Sequence, residues 1–225
     1  MGRPDGVREL AANTFRSMIF LNRGTNFEAR PLPLEAQLSP VFGLGVADFD
    51  ADGHLDLVLA QNFFPVDSMM SRQDAGRGLL LRGRGDGTFR SVPGQESGLL
   101  AYGEGRGVAV CDYDADGRMD VCLGQNGADT LLLHNVHPTA GLRVRLHGPP
   151  GNPTAVGAVV RPLFADGTLG AAQEIHAGSG WLSQDSAVLL FATNRPLSAL
   201  SIRWPGGKVT QTPVPVGARE VTAKP

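Results

Sequence analysis

Apolar residues along this chain fall in short runs separated by clusters of glycine, proline, asparagine and aspartate. Val46-Ala47 and Leu57-Val58-Leu59 flank one such cluster; Val108-Ala109-Val110-Cys111 and Val121-Cys122-Leu123 flank a second. Runs of that length, bounded by turn residues, predict buried strands and not helices. Ser17 to Phe27 reads as strand, turn, strand, and Leu79 to Phe89 repeats the device. Thr130-Leu131-Leu132-Leu133-His134-Asn135 is a third, partial copy. Residues 1–17 are polar and at best weakly helical.

From about residue 139 the pattern changes. Leu142-Arg143-Val144-Arg145-Leu146-His147 alternates strictly, which predicts a strand with one apolar and one basic face. Leu200-Ser201-Ile202-Arg203-Trp204 does likewise and turns at Pro205-Gly206-Gly207 into Lys208-Val209-Thr210. Residues 157–161, 173–176 and 187–191 supply further strands. An antiparallel sandwich is the natural way to bury them. The boundary therefore divides the chain into residues 1–138 and 139–225.

The candidate chemistry lies in the two clusters between the first strands. Asp48, Asp50, Asp52 and Asp56 follow the pattern D-x-D-x-D-G-x-x-D, and Asp112, Asp114, Asp116 and Asp120 repeat it. Alternate carboxylates on a tightly wound loop converge, and charge so dense calls for a cation. Oxygen ligands at positions one, three, five and nine, with the carbonyls of His54 and Arg118 at position seven, suit Ca²⁺. Gly53 and Gly117 occupy position six, where the turn is sharpest. An EF-hand would have glutamate at position twelve and flanking helices. Leu59 and Leu123 stand there instead, between strand-like flanks.

Composition adds limits. The 225 residues allow one or two domains, and 42% hydrophobic content can form a core. Thirty glycines and sixteen prolines fit many turns between short strands. A formal charge of −2 excludes a strongly basic nucleic-acid binder, and no apolar run can span a membrane. Cys111 and Cys122 flank the second loop; paired strands could set them opposite each other, as a disulfide or as two buried thiols. Met1 to Asp5 is polar and gives no export signal.

Strand, metal loop, strand and hairpin make a four-stranded antiparallel sheet, and repeats of that kind suggest propeller blades. The residues carry a resemblance here. V-A-D-F-D-A-D-G-H-L-D-L-V and V-A-V-C-D-Y-D-A-D-G-R-M-D-V resemble the FG-GAP/VCBS repeats of calcium-loaded β-propellers, and L-x-R-G-x-G-D-G-T-F is similar to their outer hairpin. The insertion from Asn62 to Gly76 resembles bacterial relatives of the cartilage acidic protein family. Gly157-Ala158, the stretch Ala177 to Gln184, and Ile202-Arg203-Trp204-Pro205-Gly206-Gly207 are similar to the ASPIC/UnbV domain. The resemblance implies an all-β chain, an incomplete propeller followed by a β-sandwich-like domain, at the cell surface or outside the cell.

Two loops and three hairpins amount to about two and a half blades, against about four to eight in a closed propeller. The expectation is an open arc over residues 18–136 with apolar side chains bare at its leading edge. Either the missing blades lie upstream of a chain that starts partway through a fold, or the chain self-associates.

Other motifs weigh less. Arg84-Gly85-Asp86 spells an adhesion tripeptide, but a tight turn requires the same letters. His176, Ser179, Ser183 and Asp185 suggest a catalytic group without a nucleophile elbow. Arg143, Arg145 and Arg203 could form a basic face for an anionic glycan, or simply a solvated one. The function expected is a calcium-binding, non-catalytic module with an extracellular protein or glycan ligand. The alternative is a secreted enzyme with its site around Gly178 to Asp185.

Overall fold

The structure, a computed structural model, describes residues 10–225. The polar start at Met1 to Asp5 lies outside them, and residues 10–17 are irregular, not helical. The described residues are nearly all β, in several sheets of which none closes on itself.

The hairpin β1 (Met18–Asn22) and β2 (Phe27–Pro31) forms a sheet of its own. Next come β3 (Val41–Ala47), β4 (Asp56–Gln61), β5 (Leu79–Gly83) and β6 (Phe89–Val92), one antiparallel sheet in chain order. The unit then repeats as β7 (Glu104–Cys111), β8 (Asp120–Asn126) and β9 (Leu131–Leu133). This second sheet has three strands, one fewer than the repeating unit predicts. After β9 the chain turns inward at Asn135, whose amide donates to the carbonyls of Phe49 and Met119, so it never returns as an outer strand.

The first two full sheets pack face to face. Every residue of β4 is buried. Val58 and Ala60 meet Val108, Val121 and Leu123 on one face, while Leu57 and Leu59 meet Leu79, Leu81 and Ala36 on the other. Close approach of β3 to β7 requires glycine: a Cβ on Gly43 would lie 2.8 Å from the Arg106 carbonyl, and one on Gly45 2.8 Å from Val108. With those residues turned toward β7, the alternate side chains Leu44 and Val46 are each left 43% exposed. They are the bare apolar face expected of an open arc.

The C-terminal region comprises β10 (Leu142–Leu146), β11 (Val159–Phe164), β12 (Gln173–Glu174), β13 (Leu189–Phe191), β14 (Leu197–Arg203), β15 (Val209–Pro213) and β16 (Glu220–Ala223). Two sheets, β13-β10-β16 and β12-β11-β14-β15, enclose a core that includes Leu142, Val144, Val160, Leu200 and Ile202. The sandwich is not wholly antiparallel, because β16 joins β10 in parallel. Shortening Leu200 to alanine, at 0% exposure in this core, should cost about 2–5 kcal/mol in chemical denaturation.

The cysteines do not oppose each other. Cys111 pairs with Asp120 and Cys122 with Ala109, a diagonal relation, and both are free, half-buried thiols. The basic face expected of Arg143, Arg145 and Arg203 is corrected at one position. Arg145 and Arg203 are exposed, but Arg143 is 9% exposed, because the start of β10 lies against the second acidic loop. Its guanidinium bonds Asp112 and Glu220, while Arg145 pairs with Glu220 at the surface.

Candidate metal centres

Both acidic loops join an inner strand to its neighbour, β3 to β4 and β7 to β8, so each is clamped at both ends by ladder hydrogen bonds. Their backbones wind alike. Gly53 and Gly117 have φ of 92° and 85°, and the residues two places earlier, Ala51 and Ala115, are left-handed as well at 57° and 65°. Alanine in that region is strained by order 1 kcal/mol, and such strain persists only where the surroundings over-determine it.

The first carboxylate organises the turn. Asp48 accepts the Asp52 and Gly53 N–H groups at 3.1 and 2.9 Å; Asp112 accepts those of Asp116 and Gly117 at 3.0 and 3.1 Å. The ninth residue is wholly buried and ties the loop to the next hairpin. Asp56 accepts from Gly83 N and Phe49 N at 2.8 and 3.0 Å, and Asp120 from Asn135 N and Tyr113 N at 2.8 and 3.2 Å. The residue pattern alone shows the carboxylate but not this cross-linking.

Carboxylate oxygens of Asp48, Asp50 and Asp56 lie within 4.8 Å of one another, as do those of Asp112, Asp114 and Asp120. Positions one, three and nine therefore converge twice. Position five stands apart: Asp52 turns to its own loop and accepts His54 N at 2.8 Å. Asp116 likewise accepts Arg118 N at 2.8 Å, and its carboxylate groups with Asp114 and His134. The Arg118 side chain bonds Asp116 and the His137 carbonyl. The His54 ring lies against the exposed hairpin glycine Gly85. An all-oxygen donor set at positions one, three and nine suits a hard cation.

Gathering these acids raises their affinity for protons. Burial, opposed by the Gly53 N–H and reinforced by Asp52 and Asp50, lifts Asp48 to about 6. Burial again dominates at Asp56, lifting it to about 7. Asp120 is raised for the same reason. At Asp116 burial is outweighed by contacts with His134 and Arg118, which hold the carboxyl below its ordinary range.

The pH dependence follows. A carboxyl whose folded pKa is raised keeps a proton that the unfolded chain would release. That stabilisation is full below the ordinary value of 3.8 and is lost as pH rises through about 6 and 7. In EDTA, the melting temperature should fall between pH 5 and 7.5. A bound cation requires the ionised forms, so the gain from cation should widen over the same interval. Parallel curves with and without cation would count against the clusters as binding sites.

Most of the other candidate groups have local partners; the buried Ser183 Oγ has none among the described residues. Val110 N donates to Asp185 Oδ1 at 2.8 Å, Ser186 N to the Val110 carbonyl at 2.9 Å, and Asp185 N to Ser179 Oγ at 2.8 Å. Gln184 bonds the His176 and Asp185 carbonyls. This segment is thus clipped to the edge of β7. Arg84-Gly85-Asp86 is exposed at its hairpin, where Asp86 Oδ1 accepts from Thr88 N at 2.8 Å.

Residues 67–123 match the FG-GAP-like repeat family, and residues 148–224 match the ASPIC and UnbV family. A stretch of 59 residues is 37% identical to cartilage acidic protein 1 of Xenopus tropicalis, covering 26% of this chain and 9% of that protein. The chain therefore combines an FG-GAP-like repeat with an ASPIC/UnbV domain. It spans only a small part of the relative's length.

Proposed function

We propose that each loop holds one Ca²⁺ ion as a structural element of a non-catalytic, extracellular module that binds a protein or glycan. The observation that carries this reading is the twofold convergence of carboxylates at positions one, three and nine, one of each set wholly buried. Carboxylates so close repel unless protonated or neutralised, and a cation that neutralises them also stiffens the strands on either side. The carbonyls of His54 and Arg118, with Asp52 and Asp116, would complete the coordination. A hard divalent ion with flexible geometry fits better than Mg²⁺, which demands near-octahedral ligands.

The extracellular setting is supported by the FG-GAP-like repeat and by a relative named for cartilage. The absence of catalysis is supported by the engagement of Asp185, Ser179 and Gln184 in turn and edge hydrogen bonds. No helix among the described residues is long and apolar enough to cross a membrane.

Elemental analysis tests the sites. Asp50→Ala and Asp114→Ala should each lose one calcium per chain, whereas Asp86→Ala, on the exposed hairpin, should lose none. Equal loss from all three would reject the ligand assignment. A panel of matrix proteins and glycans, probed with and without calcium, addresses the ligand.

A further inference from the structure

We propose that Arg143 is a built-in counter-cation of the second loop, so that the two loops bind calcium unequally and the first binds it more tightly. The inference rests on the calcium reading above. It comes from a difference between two loops that are otherwise alike. Asp48 and Asp112 each accept two backbone N–H groups from their own turn at 2.9–3.1 Å. Asp112 alone accepts a guanidinium as well, Arg143 Nε at 2.6 Å from its Oδ2.

That pair is sealed. The Asp112 side chain has 0% exposure and the Arg143 side chain 11%. A desolvated, charge-assisted pair with its other arm on Glu220 is costly to break, because either partner alone would be a stranded charge. The second loop also carries Arg118 on Asp116, with His134 at 3.3 Å from both Asp114 and Asp116. Among the described residues the first loop has one arginine partner, Arg82 on Asp50 at 2.7 Å, and that side chain is 36% exposed. Four carboxylates thus face one guanidinium in the first loop and two in the second.

The affinity of oxygen sites follows ligand charge and rigidity. An ion entering the second loop meets a position-one carboxylate whose charge is already shared, beside a fixed positive group. Arg143 also binds the C-terminal sandwich to this loop without an ion, since β10 carries it and Gly141 N donates to the Gly117 carbonyl at 2.7 Å. The first loop meets the sandwich through a neutral contact instead, Asn194 Nδ2 to the Asp52 carbonyl at 2.7 Å.

Chelator-competition titration with calcium tests this. Asp114→Ala leaves the first loop to bind, and Asp50→Ala leaves the second. The Asp114→Ala chain should bind about tenfold more tightly than the Asp50→Ala chain, in keeping with the difference in charge. Adding Arg143→Gln to the Asp50→Ala chain should recover most of that factor, whereas Arg143→Lys should not. Equal constants for the two single variants, or weaker binding after Arg143→Gln, would overturn the proposal. If Arg143→Gln does not fold, the comparison of the two single variants decides alone. Absence of calcium binding by the unaltered chain would instead remove the calcium reading, and this inference with it.

Discussion

Replacing Asp56 by alanine should lower the melting temperature in EDTA as well as in calcium, and by more than the loss of Asp50. Asp56 is wholly buried, and its two oxygens accept the Gly83 and Phe49 N–H groups. Alanine strands both donors inside the protein, at about 1–3 kcal/mol each. For a chain of this size about 2–4 °C is lost per kcal/mol, so a fall of about 5–15 °C is expected before any metal term. Asp120→Ala should behave alike, through Asn135 and Tyr113. Asp50 and Asp114 make fewer backbone contacts, so their removal should show mainly in calcium. Thermal melts of the four variants in both buffers separate the roles. Equal melts for Asp56→Ala and the parent in EDTA would show that the cross-link contributes nothing.

Calcium itself should produce the other large effect. At a hundredfold excess over its dissociation constant, an ion bound only by the folded state stabilises by about 2.7 kcal/mol per site. Two occupied sites should raise the melting temperature by about 10–20 °C. The tighter first loop should contribute at lower calcium, so the rise should come in two stages. Magnesium at equal concentration should give a much smaller shift. Melts that coincide in calcium and in EDTA would mean that the acidic loops fold without help from an ion.

The loops and strands were legible in the sequence because both rest on local spacing. Alternate aspartates with glycine at position six define a tight acidic turn by themselves, and the apolar runs beside Asp48 and Asp112 mark β3, β4, β7 and β8. What escaped was set by neighbours distant in the chain. Strict alternation at Leu142 to Leu146 shows that Arg143 leaves the sandwich core. It does not show that the start of β10 meets the second acidic loop, so Arg143 read as surface. The strand at Glu220 to Ala223 was not among those expected, because parallel pairing to β10 leaves no turn signal between partners. The diagonal cysteines depended on register, which the spacing of Cys111 and Cys122 around a loop could not set.

The most direct measurement of the central claim is a calorimetric titration of calcium into the EDTA-stripped, dialysed chain. Two ions per chain should bind in distinguishable steps, with one step lost in Asp50→Ala and the other in Asp114→Ala. A flat titration, or binding unchanged by both substitutions, would contradict the assignment of these loops as calcium sites.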